Sequence, residues 1–180
     1  ADGLARTPNG GTKLPLLFAR AAHWLDGDDW TTRSALVEAL DRNGQERDAL
    51  ALLTASRTAQ PAALRMRQAE LLAEAGDLPV AVDLADTAAQ LEPRARSLLL
   101  RFADIAREAK DPAAAERAYA GLEATLDNGA DDDALRGSLL IARAELRLRT
   151  NDWEGAAALM EKAVALRPGD ATILNFAGYS

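Results

Sequence analysis

From Trp30 to Asp170 the apolar positions recur at helical spacing in runs that short polar turns interrupt. Three segments follow one plan: an amphipathic helix, a tight polar turn, a second helix opening near an alanine, and a closing proline. The turns read Arg42-Asn43-Gly44-Gln45, Ala75-Gly76-Asp77-Leu78 and Thr150-Asn151-Asp152-Trp153. The alanines are Ala49, Ala81 and Ala156, and Pro61, Pro93 and Pro168 each follow twelve residues later. A fourth segment, with the turn Lys110-Asp111-Pro112 and Ala115, fits between them without a closing proline. Ahead of all four, residues 13–26 form one more apolar-periodic stretch with Leu16, Leu17, Ala21, Trp24 and Leu25. It reads as the second helix of an incomplete preceding hairpin.

The alanine spacings, 49 to 81, 81 to 115 and 115 to 156, are 32, 34 and 41 residues. A period near 34 is that of a helix-turn-helix solenoid unit. The seven extra residues of the last gap fall in Asp127-Asn128-Gly129-Ala130-Asp131-Asp132-Asp133. An N-cap plus acids at a helix start accounts for its aspartates; a calcium loop needs alternating ligands and a defining glycine spacing. Small residues recur at the eighth place of each unit, at Val37, Ala69, Ala103 and Ala144 and then Gly178. There and at the four alanines the two helices of a hairpin are expected to cross closely.

Composition supports this reading. Hydrophobic residues make up 48% of the 180, yet aromatics only 4%, so alanine and leucine dominate and favour an all-helical fold. A net charge of -7 argues against nucleic acid as a partner. The chain contains no cysteine, so disulfides and thiolate metal sites are excluded, and either redox compartment suits it. No apolar run reaches the roughly 18 residues of a membrane-spanning helix. Nor is there a zinc-type His/Cys cluster or a phosphate-binding glycine loop. The single histidine, His23, reads as a packing or surface residue; no cofactor is expected, and no catalytic residue is assigned.

The whole pattern resembles the tetratricopeptide repeat (TPR) family over roughly residues 30–180. The best-matched stretch, Gly137 to Asp170, has Leu140, Ala144, Asn151-Asp152-Trp153, Ala156, Ala163 and Pro168 at the signature places. From Arg143 to Ser180 the chain is also similar to long bacterial repeat proteins, through Leu174-Asn175-Phe176-Ala177-Gly178-Tyr179-Ser180. The resemblance implies an all-α, right-handed superhelical solenoid of antiparallel hairpins with a concave groove lined by the first helices. The expected organisation is a lead-in over 1–12, a half repeat over 13–29 and units at 30–61, 62–95 and 96–129. An acidic insertion over 130–136, a fourth unit at 137–170 and the truncated start of a fifth at 171–180 complete it. Gln68 and Arg143 replace a large apolar residue of the family pattern, and Leu122 a small one. A looser join is expected after the third unit.

The implied function is a non-catalytic protein–protein interaction scaffold holding a peptide or protein in the groove. The alternative is an accessory domain of an enzyme, such as a glycosyltransferase, whose catalytic part lies elsewhere. The ninth residue of each unit, on the concave face, is acidic throughout: Glu38, Glu70, Asp104 and Glu145. Such a ladder would repel the acidic C-terminal tails that some family members clamp, and would face lysines or arginines of a basic partner. The competing reading is internal neutralisation by Arg67 and Arg101, three residues before Glu70 and Asp104, with Arg42, Arg107 and Arg149 flanking. Arg143 is expected in a salt bridge with Glu116 or Asp152. Trp24, Trp30 and Trp153 are candidates for sugar stacking, but gap-filling between hairpins is the preferred role. Self-association through incomplete terminal repeats is a further expectation, with Leu174 and Phe176 at the contact.

Overall fold

The computed structural model describes residues 13–55, 59–127, 129–171 and 173–175. Among them every regular element is a helix. The chain divides into two units, Ala1–Glu92 and Pro93–Ser180. The first contains α1 (Lys13–Leu25), α2 (Trp30–Asp41), α3 (Glu46–Thr54), α4 (Ala62–Glu74) and α5 (Leu78–Leu91). The second contains α6 (Arg96–Glu108), α7 (Pro112–Glu123), α8 (Ala130–Arg149) and α9 (Trp153–Leu166). Helices pack as neighbours in sequence: α2 with α3, α4 with α5, α6 with α7 and α8 with α9, each pair a hairpin.

One turn geometry closes all four hairpins. Gly44, Gly76, Lys110 and Asn151 have positive φ, and each lies five residues before a signature alanine. The residue after each donates its N–H to a carbonyl five back: Gln45 to Leu40, Asp77 to Leu72, Asp111 to Ala106, Asp152 to Arg147. This satisfies carbonyls that the end of the first helix leaves without a partner. That same residue caps the second helix, its carbonyl accepting from the alanine N–H four places on. Asp111 and Asp152 add a side-chain cap, to the Ala114 and Gly155 N–H groups at 2.9 Å. Glycine adopts positive φ at no steric cost, whereas Lys110 does so against a penalty of about 1 kcal/mol.

The cap places each alanine against the first helix of its hairpin. Ala49, Ala81, Ala115 and Ala156 are at most 2% exposed, and Val37, Ala69, Ala103 and Ala144 at most 3%. In the first unit the core gathers Leu36, Leu40, Leu53, Leu64 and Leu71 around Val37 and Ala49. In the second, Phe102, Tyr119 and Leu122 are buried in the α6–α7 hairpin, and Leu140, Met160 and Ile173 pack around Ala144 and Ala156. Pro93 and Pro168 mark the ends of second helices, whereas α3 ends at Thr54 and Pro61 is the N-cap of α4. Glu92 and Arg167, which precede Pro93 and Pro168, leave the helical region with ψ of 72° and 74°.

Several expectations need correction. The expected insertion over 130–136 is helical and runs on into the fourth unit, so α8 is 20 residues long. Its N-cap is Gly129, with no side-chain cap, rather than an aspartate. Asp132 instead reaches back to α6, where it accepts two hydrogen bonds from the Arg96 guanidinium at 2.8 and 3.1 Å. Arg96 also donates to the hydroxyl and carbonyl of Thr125, so one side chain ties α6 to both ends of the α7–α8 connection. Trp24 and Trp153 do not fill gaps: they are 83% and 61% exposed. Trp153 opens α9, where its ring points outward, and Ala156 and Met160 make the inward face. Trp30 does pack against the first core, and the Arg33 guanidinium lies 4.9 Å from its ring centre. Phe176, Gly178 and the lead-in over 1–12 lie outside the described residues.

Candidate partner-binding surfaces

The acidic ninth positions become two different environments. In the first unit Glu38 of α2 and Glu70 of α4 converge on one guanidinium, that of Arg67, whose side chain is only 16% exposed. Arg67 lies 3.0 Å from Glu70, 3.9 Å from Glu38, 2.5 Å from Asp41 and 3.8 Å from Glu74. Arg42 adds a 3.6 Å contact to Glu38. The i,i+3 pairing of Arg67 with Glu70 is thus present, and Arg67 also bridges α2 and α4. Arg42 and Arg67 thus lie among four carboxylates, Glu38, Asp41, Glu70 and Glu74. Burial pushes the Glu74 carboxyl above its ordinary value; Arg67 opposes this, while Asp41, Glu70 and Glu46 reinforce it.

In the second unit Asp104 and Glu145 both lie close enough to Tyr119 to act on its phenol. The phenol of Tyr119 is raised by burial; Arg107 and Arg149 pull it down, and Asp104 and Glu145 push it up. Asp104 is exposed and pairs with Arg107 at 3.4 Å. Arg101, the partner expected for Asp104, is half-buried on α6. Glu145 is half-buried and Arg149 exposed at the end of α8.

Arg143 makes the expected bridge to Glu116, and its second partner is Glu123, at 2.6 Å, rather than Asp152. Asp152 pairs with Arg147 instead. The reason is direction: Arg143 lies on the α8 face that packs on α7, whereas Asp152 is in the turn beyond. Gln68, the other polar substitution, donates to the Thr54 hydroxyl at 3.3 Å.

The sequence reading missed two clefts. One, of about 380 Å³, lies between α3 and the end of α4 over Leu50 and Leu71. Another of about 380 Å³ lies at the α6–α7 turn against the end of α8, with Leu146 in its wall. A smaller space of about 240 Å³ adjoins Pro112, Glu116 and Leu146. Leu146 of α8 lines both spaces, beside Pro112 at the start of α7. Among the described residues no group of His, Asp and Glu is arranged to hold a metal ion, and no helix is long and apolar enough to cross a membrane.

Comparison with known proteins identifies the fold. No family model and no curated protein match the sequence. Solved structures do. One is YrrB, described as a TPR protein with an unusual peptide-binding site: TM-score 0.66, 14% identity, over 92% of this chain and 82% of that one. Another is MamA, with TM-score 0.69 and 12% identity over 91% of this chain and 87% of that one. A third is BtubC from P. vanneervenii, with TM-score 0.61 and 17% identity over 99% and 83%. At such identities the likeness shows the fold alone.

Proposed function

We propose that this chain, which has the tetratricopeptide-repeat fold, is a non-catalytic scaffold that holds a protein or peptide partner through the first helices of its hairpins. The observation that carries the reading is the cluster at Arg67. Acidic ninth-position residues from α2 and α4 meet there, beside Asp41 and Glu74. Carboxylates gathered on one face of two first helices steer lysines and arginines of a partner. A peptide-binding site is named for YrrB, which supports the class of function. In this reading the repeats span 30–61, 62–95, 96–129 and 137–170, and the partner is basic.

The test replaces the four acids together, Glu38→Gln, Glu70→Gln, Asp104→Asn and Glu145→Gln. Folding should survive, because the half-buried Arg67 keeps Asp41 and Glu74, and the exposed Arg42–Glu38 and Arg107–Asp104 pairs contribute only about 0–1 kcal/mol each. Affinity for a labelled lysine–leucine peptide should fall about tenfold and lose most of its salt dependence. Unchanged affinity and salt slope would remove the ladder as a binding surface.

A further inference from the structure

The two larger clefts share repeat positions on the first helix that walls them. Counted back from the signature alanine of the following second helix, Leu71 and Leu146 both stand ten places before, at Ala81 and Ala156 respectively. Glu74 and Arg149 both stand seven places before, at the mouths of their clefts. Each cleft therefore has the same leucine in its wall and a different charge at its entrance.

In the first unit the entrance has Glu46 and Glu74 beside Arg47. In the second it has Arg107, Lys110 and Arg149, and its wall is made of Ala106, Ala115 and Leu146. The one acid there, Asp111, is engaged in capping α7 through the Ala114 N–H. Arg107 shares Asp104 at 3.4 Å, while Lys110 and Arg149 make no ion pair among the described residues. On a chain of net charge -7, this is a local reversal of sign over an apolar cleft.

We propose that the second-unit cleft docks a partner segment in which a Leu- or Phe-sized side chain is flanked by Asp or Glu. The residue seven places before the signature alanine sets the sign of charge that such a cleft accepts. The apolar side chain fills the space against Leu146, and the flanking carboxylates meet Lys110, Arg149 and Arg107 at the mouth. This inference rests on the scaffold reading but not on the first-unit acids Glu38 and Glu70, which lie on other helices; in the second unit Asp104 stays engaged with Arg107.

The experiment measures fluorescence anisotropy of the full chain with N-acetylated, C-amidated, labelled Asp-Glu-Leu-Phe-Glu-Asp. Three control peptides carry Lys for every acid, Ser for Leu and Phe, or the sequence Ser-Ser-Leu-Phe with a free C-terminus. Lys110→Gly combined with Arg149→Glu removes the two unpaired cations. Glycine suits the positive φ at 110, so the turn is kept. The acidic peptide should bind the native chain, and the double variant should bind it at least about tenfold more weakly while gaining affinity for the lysine peptide. Glu38→Gln/Glu70→Gln should leave acidic-peptide binding unchanged, so a failure of the ladder and a failure of this cleft give different results. Four outcomes would overturn the proposal: no binding of the acidic peptide at low salt; equal binding by the double variant; equal binding of the serine peptide, which means charge adhesion alone; or equal binding of Ser-Ser-Leu-Phe with a free C-terminus, which means recognition of a chain end.

Discussion

Gly121 sits inside α7, where glycine is about 0.5–1 kcal/mol worse than alanine in an unconstrained helix. Replacing it with alanine would on that ground stabilise the chain. The packing decides otherwise. A Cβ built at Gly121 would lie 2.7 Å from Leu99 Cδ2, 3.6 Å from Cδ1 and 3.7 Å from Cγ. Ordinary carbon contacts are about 3.5–4.0 Å, so Leu99 must retreat by roughly an ångström. Leu99 is only 5% exposed, so it has little free space into which to retreat. Overpacking of this kind costs about 1–3 kcal/mol, which exceeds the propensity gain. Gly121→Ala should therefore destabilise by about 0.5–2 kcal/mol, read as a lower urea midpoint at unchanged slope in circular dichroism. The same change on a Leu99→Ala background has no δ carbons to meet. There it should be neutral or stabilising by up to about 1 kcal/mol. An alanine variant as stable as the native chain, or an equal loss in both backgrounds, would refute the close approach.

The same physics predicts that Ala81→Leu, at a fully buried crossing in the α4–α5 hairpin, lowers stability by about 1–3 kcal/mol; an unchanged melting curve would contradict it. Lys110→Gly alone should raise stability by about 0.5–1 kcal/mol, since it relieves a non-glycine positive φ, and calorimetry would show the shift. The Asp132 carboxyl is held below the usual carboxylate range, first by the Arg96 hydrogen bond and then by the Asp127 N–H. Its contribution is complete above the ordinary value near 4 and is lost as pH falls through the depressed one, so native and Asp132→Asn chains should differ at pH 7 and converge in strong acid. α1 leaves Leu14, Leu17, Phe18 and Leu25 more than half exposed, and Phe18→Ser should reduce concentration-dependent self-association in sedimentation velocity; a native chain that stays monomeric at high concentration would remove this expectation.

Much of the architecture is legible in the residues because the repeat is built from local rules. A turn residue of positive φ, a cap one place later and an alanine four beyond that recur in one order, each acting within a few residues of chain. So the hairpins, the buried alanines and the closing prolines could be read directly. Interactions between distant residues were less visible. The pairing of Arg67 with Glu70 follows from helical spacing, but its contacts to Glu38 and Asp41 depend on how α2 meets α4. The aspartates after residue 126 looked like caps, and only the approach of α6 reveals Asp132 as a ligand for Arg96. Leu122 stood where a small residue was expected and is buried all the same, while the close approach to Leu99 is made at the neighbouring Gly121. Trp153 was assigned to a gap from its place in the motif, yet exposure depends on the turn's direction. The clefts at Leu71 and Leu146, and the opposite charges at their mouths, belong to tertiary structure alone. Periodicity names the residues that face another helix; the distance between helices, and the space left at their ends, is set by the sum of side-chain volumes across the contact.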